Sequence, residues 1–441
     1  MTARELALAV VRDVFPKAGK ARGAHESFDY RAERSQLDAR DRAFAAELAY
    51  GSIRARRYLD WLLAPHLGTR AQKLPPTIAE ILRLGAYQLA KMSTEPHAAV
   101  SETVGLARRH GHRGTAGLVN AVLRRLSERA PADRVPQREQ FESDDDFLGT
   151  LHSFPTWIVA LARRVFGGDL LEELLRGMNA PAQASVRVNL LRTNVDEAIA
   201  QLRETGVSAT PSHLVPEIVL LDRMPPVADA SGRWEIQGEI AALPVDVLAP
   251  QADERGVELC SGRGNKTMQI AARMRDRGRI EAVEADSENA QRLRARLQQL
   301  GVHGVAIEEA DATTTSGDVA DFVLLDAPCS ALGILGRQPE ARWRKEPSDP
   351  QRLARVQAAL LDAGATRVRP GGRMVYSVCS FALAETDERI DAFLGSHPEF
   401  ARGDMPERFA AWRTPCGDLR FAPGIERRDG FFVALLERRP E

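Results

Sequence analysis

The chain carries four cysteines, Cys260, Cys329, Cys379 and Cys416, all in its second half and with no Cys-x-x-Cys pair. That spacing does not make a metal site. A lone cysteine is more often a small buried hydrophobe than a reactive group, so reactivity needs local support. Two of the four have it. In Leu325-Asp-Ala-Pro-Cys-Ser330 an apolar run delivers an acid, Asp326, and a thiol, Cys329. In Tyr376-Ser-Val-Cys379-Ser380 a second apolar run delivers another thiol. Two thiols at the ends of apolar runs are difficult to assign to packing alone, and a paired thiol and acid suit covalent catalysis.

A ligand loop accompanies them. Cys260, Ser261, Gly262, Arg263, Gly264, Asn265 and Lys266 follow the apolar run ending at Leu259 and precede a helical pattern over 268–274. Gly262 and Gly264 allow close backbone approach, and a helix N-terminus offers free N–H groups. Asn265 is a residue type that tolerates positive φ. A P-loop is excluded, because the Gly-x4-Gly-Lys-Ser/Thr spacing is missing. About 20 residues on, Glu284 and Asp286 end the next run, where an acid accepts hydrogen bonds from a ribose diol. Asp286 suits the N-cap of a helix over 287–300, which leaves Glu284 for the ribose. Asp311 follows the third run and could accept from an adenine amino group; the alternative is a loop-capping acid.

The elements that must position these residues alternate. Strands are expected at 256–259, 279–283, 305–307, 322–325, 373–376 and 431–435, most of them separated by helical patterns. This predicts a mostly parallel, doubly wound α/β sheet, Rossmann-like, over 236–441. Ligands in such sheets bind at the carboxyl ends of the strands. Ahead of it, 147–235 reads as a small α/β subdomain, with strands at 186–190 and 218–221 and a helix over 195–205. Residues 1–135 read as an all-helical bundle, with apolar periodicity from Leu6, Val10, Val11 and Val14 onward. The polar stretch 130–146, ending Glu142-Ser-Asp-Asp-Asp146, reads as a linker. The net charge of −1 conceals an asymmetry: residues 1–130 hold 22 Lys/Arg against 13 Asp/Glu, a net of +9. A basic first third points to a polyanion such as RNA, or to a solvated helix surface. No run of about 18 apolar residues is present, so a cytoplasmic protein with no membrane span is expected.

Taken together, the Asp326–Cys329 segment and the later Cys379-Ser380 resemble the Nol1/Nop2/Sun group of RNA cytosine-C5 methyltransferases over about 236–441. Four stretches of the first third resemble the RNA-binding helical domain of NusB: Asp41-Arg-Ala-Phe-Ala-Ala-Glu-Leu-Ala-Tyr-Gly51, Leu82-Arg-Leu-Gly-Ala-Tyr-Gln-Leu89, His97-Ala-Ala-Val-Ser-Glu-Thr-Val104 and Gly117-Leu-Val-Asn-Ala-Val-Leu-Arg-Arg125. The middle segment, with Arg187-Val-Asn189, is similar to the RRM-like subdomain of the same group. The combination resembles bacterial enzymes that methylate 16S rRNA. The chain departs from the family's Cys-Ala-Ala-Pro-Gly-Gly-Lys at Cys260–Lys266, has Gln237-Gly-Glu239 for the usual Gln-Asp-Glu, and has Val378 where a Thr is common.

The resemblance implies S-adenosyl-L-methionine as cofactor, held by Cys260 through Lys266 with Glu284, Asp311 and Asp326. It implies Cys379 as nucleophile toward cytosine C6, Cys329 as the group that assists release, Asp326 as hydrogen-bond partner of the N3/N4 edge and Lys266 as an aid in holding loop, substrate or cofactor. The expected partner is 16S rRNA, in the small subunit or its precursor, with no metal, and the expected state is a monomer. Two alternatives differ in class. One is a non-catalytic RNA-binding or assembly factor on the same fold, against which both retained thiols, Asp326 and Glu284 argue; methylation of another RNA such as tRNA is a variant of the main reading. The other is an NAD-dependent dehydrogenase, which lacks its Gly-x-Gly-x-x-Gly run because Thr267 stands three residues after Gly264.

Overall fold

Helix signals at the chain's start are met residue by residue. In a computed structural model describing residues 1–225, 229 and 231–440, Thr2 caps α1 (Ala3–Val14) in a reciprocal box with Glu5, and Leu6, Val10, Val11 and Val14 are buried. Six more helices follow: α2 (Ala24–Glu33), α3 (Ala39–Arg54), α4 (Arg56–Leu67), α5 (Pro76–Lys91), α6 (Pro96–His110) and α7 (Arg113–Glu128). They share one apolar core that includes Leu48, Leu59, Leu63, Ile81, Val119 and Leu123. Gly51 is needed for that packing, since a Cβ there would lie 2.0 Å from the Tyr87 ring.

The acidic stretch expected as a linker has another role. Ser143 caps α8 (Asp144–Leu151), accepting from the Asp146 N–H at 3.1 Å, and the three aspartates occupy the first turn, where the helix dipole favours anions. Arg57 ties this helix to the bundle through Thr150, Thr156, the Phe154 carbonyl and the Asp146 carboxylate. Two further helices, α9 (Thr156–Phe166) and α10 (Leu171–Gly177), break at Gly167, whose φ is +83°. The first compact unit therefore runs from Met1 to Asn179, where composition alone places a division near 146.

That unit also claims a distant segment, Arg337–Lys345. The Trp343 indole donates to the Ile53 carbonyl at 2.6 Å, and Arg344 donates to the Val14 carbonyl at 2.7 Å. Arg342 is fully buried over the Phe154 ring and donates to the Ser153 carbonyl and Asn179 Oδ1.

The second unit, Ala180–Gly336 with Glu346–Glu441, holds two sheets. The smaller is antiparallel, in the order β2 (Ala209–Pro211), β3 (Ile218–Leu221), β1 (Ala184–Val188), β4 (Trp234–Ile236). The helix α11 (Val195–Glu204) packs on it, burying Ile199 and Leu202. The larger sheet follows α12 (Glu239–Leu248). Its parallel strands are β5 (Arg255–Leu259), β6 (Arg279–Val283), β7 (Val305–Glu308), β8 (Ala320–Asp326) and β9 (Val368–Val378), with α13 (Asn265–Arg273) and α14 (Ser287–Leu300) as crossovers. Antiparallel β10 (Phe400–Arg402), β11 (Leu419–Phe421) and β12 (Phe431–Arg438) complete the edge. The order β9-β8-β5-β6-β7 reverses direction between β8 and β5, so a crevice opens at their carboxyl ends. Among the described residues no helix is long and apolar enough to cross a membrane.

Candidate active site

Each parallel strand of the large sheet delivers a polar group to the same edge. Cys260 follows β5, Glu284 follows β6, Asp311 follows β7, Asp326 ends β8 and Cys379 follows β9.

The loop after β5 is held in an unusual path. Cys260 has φ +61°, Gly262 +58° and Gly264 +81°. A non-glycine residue in the left-handed region carries strain that the surroundings must hold. Asn265, although of a type that tolerates positive φ, does not use it; it begins α13 in right-handed helix, with Gly264 as the cap. Gly264 is confined, since a Cβ there would meet Leu293 Cδ1 at 2.2 Å, whereas a Cβ on Gly262 would meet nothing within 4 Å. Arg296, on α14, braces the loop from outside. It donates to the Arg263 carbonyl at 3.1 Å and to Asn265 Oδ1 at 2.8 Å, and its Nε reaches Glu235 at 2.6 Å. Arg263 itself is exposed, so its backbone rather than its charge is used inside the loop.

The acids divide their work. Glu284 accepts from the Gly262 N–H at 2.6 Å and from the Asp286 N–H at 2.9 Å; Asp286 caps α14 at the Asn289 N–H. A carboxylate offers about four lone-pair sites, so Glu284 retains capacity for a ligand. Asp311 is exposed and accepts from the Thr313 N–H and hydroxyl, which hold its carboxyl below the usual range. Burial, with Glu284, Asp326 and Asp311 nearby, pushes the Cys260 thiol up to about 12, so it stays protonated and unreactive. Burial also raises Glu258, beneath the loop, to about 8.

Across the crevice, Lys266 pairs with Asp326 Oδ2, and the buried Ser377 hydroxyl donates to Asp326 Oδ1 at 2.7 Å. The Ala327 N–H donates to the Ser377 carbonyl, which locks the two strand ends together. One turn further on, Cys329 Sγ and Cys379 Sγ stand 3.3 Å apart. The contact with Cys379, together with burial, holds the Cys329 thiol well above the ordinary range. Cys416 is exposed and makes no part of this arrangement. Ser377 and Arg296 were not visible as site residues in the sequence. Ser377 lies on β9, two residues before Cys379, but Arg296 is 33 residues from the carbonyl it holds and carries no local signal.

A family model for 16S rRNA methyltransferase RsmB/F matches residues 245–437, a NusB family model matches 1–128, and one for the RsmF/B-like ferredoxin-like domain matches 154–228. The "Ribosomal RNA small subunit methyltransferase B" of Xanthomonas campestris is 32% identical over 90% of this chain and 89% of that protein. The chain belongs to the RsmB/F family of 16S rRNA methyltransferases. A Synechocystis relative described as "Probable ribosomal RNA small subunit methyltransferase B" is also 32% identical, over 99% of this chain and all of its own length. The crystal structure of PH0851 matches this RsmB/F fold with a TM-score of 0.81 at 26% identity, covering 99% of both chains. Within the NusB-like region, Arg108, Arg113 and Arg124 are exposed on α6 and α7 around Asn120. They give this RsmB/F chain a cluster of three exposed cations on α6 and α7, with Glu128 at its border.

Proposed function

We propose that the chain methylates C5 of cytosine in 16S rRNA, with S-adenosyl-L-methionine as methyl donor and Cys379 as covalent nucleophile. The observation that carries the reading is the pair of sulfurs 3.3 Å apart beside the Asp326–Lys266 pair.

Cytosine C5 is a poor nucleophile until something adds to C6. Thiolate addition from Cys379 makes C5 electron-rich, which splits one hard step into two easier ones. Asp326, fixed by Lys266 and Ser377, faces the N3/N4 edge and favours cytosine through its amino group. After methyl transfer C5 bears both a proton and a methyl. Loss of that proton rebuilds the C5–C6 double bond and expels the Cys379 thiolate. Cys329, having released its own proton to solvent once Cys379 is bonded to C6, is the acceptor for that proton. The target base must leave its stack to reach these groups.

The residues present fit a cofactor of this class. Ser261 Oγ is buried and makes no hydrogen bond among the described residues. Open space lies where a Gly262 side chain would be, and Glu284 stands beside it. The cofactor supplies an electrophilic methyl, and these residues orient it. The cationic cluster of α6 and α7 supplies RNA affinity.

The test is bisulfite sequencing of 16S rRNA from cells with and without the gene, with transfer of labelled methyl to rRNA by the purified chain. A cytosine that loses C5 methylation with the gene is expected. An unchanged methylation map, with no transfer in vitro, would sink the proposal.

A further inference from the structure

Each thiol of the pair is followed in the sequence by a serine, and both serines end on one carboxylate. The Ser380 hydroxyl donates to Glu385 Oε2 at 2.6 Å, and the Ser330 hydroxyl donates to the same oxygen. The two hydroxyl oxygens are 2.9 Å apart. Glu385 Oε1 accepts from the Ser330 N–H at 2.8 Å and from Gln357 Nε2 at 3.1 Å. Gln357 also donates to the Pro328 carbonyl at 2.9 Å, and Tyr376 donates to the Glu385 carbonyl at 2.7 Å. Glu385, Ser330, Ser380, Gln357 and Tyr376 are all buried.

A buried carboxylate is costly unless donors surround it, and an ionised one can only accept. Here each of the four hydrogen bonds to the carboxylate comes from a donor of the protein. Two of those partners belong to the turn after Cys329 and one to the turn after Cys379. The remaining one, Gln357, itself holds the turn before Cys329. Removing the carboxylate would leave the two cysteine turns joined by the Ser330–Ser380 hydroxyl contact at 2.9 Å and by the Gly333 N–H, which reaches the Cys379 carbonyl at 2.9 Å, but without the group that gathers both hydroxyls, the Ser330 N–H and Gln357.

We propose that Glu385 is a positioning residue that sets the separation and orientation of Cys329 and Cys379. This rests on the reading in which Cys379 attacks and Cys329 takes the C5 proton. Those steps occur on one ring at neighbouring carbons, so the two sulfurs must keep one geometry through both. A misplacement of about 1 Å can cost on the order of a hundredfold in rate. Glu385 touches no substrate; it acts through the two serines.

The experiment reads sulfur geometry apart from methylation. Full-length wild type, E385Q and E385A are treated with diamide, which takes two electrons from the two thiols as they form a disulfide. The Cys329–Cys379 cross-link is followed by mass spectrometry, with melting temperature as the control for folding. Wild type should cross-link fast. E385A should slow by about tenfold or more, and E385Q should fall between, because its amide keeps one acceptor and turns the other toward the hydroxyls as a donor. In methyl transfer, kcat should fall in the same order while KM for RNA and cofactor affinity hold. Wild-type cross-linking and kcat in both variants would overturn the proposal; if E385A does not fold, the same result in E385Q alone does so. Slowed cross-linking in the variants of a protein whose wild type transfers no methyl would uphold the positioning role and discard the cytosine reading instead.

Discussion

Cys329 and Cys379 touch, yet the chemistry asks different things of them. The Cys379 contact and burial favour the protonated form of Cys329, whose sulfur stands 3.3 Å from the one that must attack. Cys379→Ala should therefore abolish methyl transfer while leaving cofactor binding intact. Cys329→Ala should still add and methylate but release slowly, so an RNA–protein adduct through Cys379 should accumulate and survive denaturing electrophoresis. The adduct in the first variant and none in the second would exchange the two roles. Glu258 supports a separate prediction. Its folded value of about 8 lies above the ordinary 4.5, so the native state favours the neutral acid. As pH rises from about 5 to 8 the unfolded chain ionises first, and native stability falls relative to a neutral side chain. Glu258→Gln should grow more stable than wild type across that window, by an amount of order a few kcal/mol at its upper end, and so melt at a higher temperature. A pH-independent gap between the two melting curves would show that Glu258 is ionised throughout. The thiols, Asp326 and Glu284 were legible because each ends an apolar run. Ser377 and Glu385 were not, because their partners meet them only after strands pair and turns close.

The loop after β5 contrasts two glycines that look alike in sequence. Gly264 combines φ +81° with a wall at Leu293, and Gly262 combines φ +58° with open space. Gly264→Ala should lower stability by about 1–3 kcal/mol in denaturant unfolding, through overpacking and backbone strain together. Gly262→Ala should cost less stability but weaken S-adenosyl-L-methionine binding measured by calorimetry, because its methyl would enter the ligand's space. Equal losses of stability with unchanged affinity in both would remove the loop from the cofactor site. Long elements were readable: the five parallel strands and α14 fall close to where apolar runs and caps put them. The three-residue strands β2, β4, β10 and β11 were not, since three residues carry no period. The acidic run at 142–146 misleads for a physical reason, because the charge that suits a linker equally suits a helix's first turn.

Across the whole molecule, charge and chemistry occupy different stretches of chain. Reversing Arg108, Arg113 and Arg124 to Glu should weaken rRNA binding, and the slope of log affinity against log salt should flatten by about 0.7–0.9 per lost phosphate contact, with cofactor affinity unchanged. An unaltered slope would take RNA contact away from α6 and α7. The +9 balance of the first third was legible from composition, but the meeting of Arg108, Arg113 and Arg124 around Asn120 needed the helices in place. Composition also gave no sign that Arg337–Lys345 belongs with the helical unit, because in sequence Arg342 and Trp343 look like any loop between two elements. That membership has a consequence in time. The helical unit is made first, through Asn179, but its packing around Ile53, Ser153 and Asn179 is completed only when residues 342 and 343 have been synthesised. At about 5–20 residues per second, the intervening stretch delays closure by roughly 10–30 s. Nascent chains halted just before residue 337 should thus be more open to protease within the first 179 residues than chains halted well past 345. Equal protection at both lengths would show that the bundle closes without its late segment.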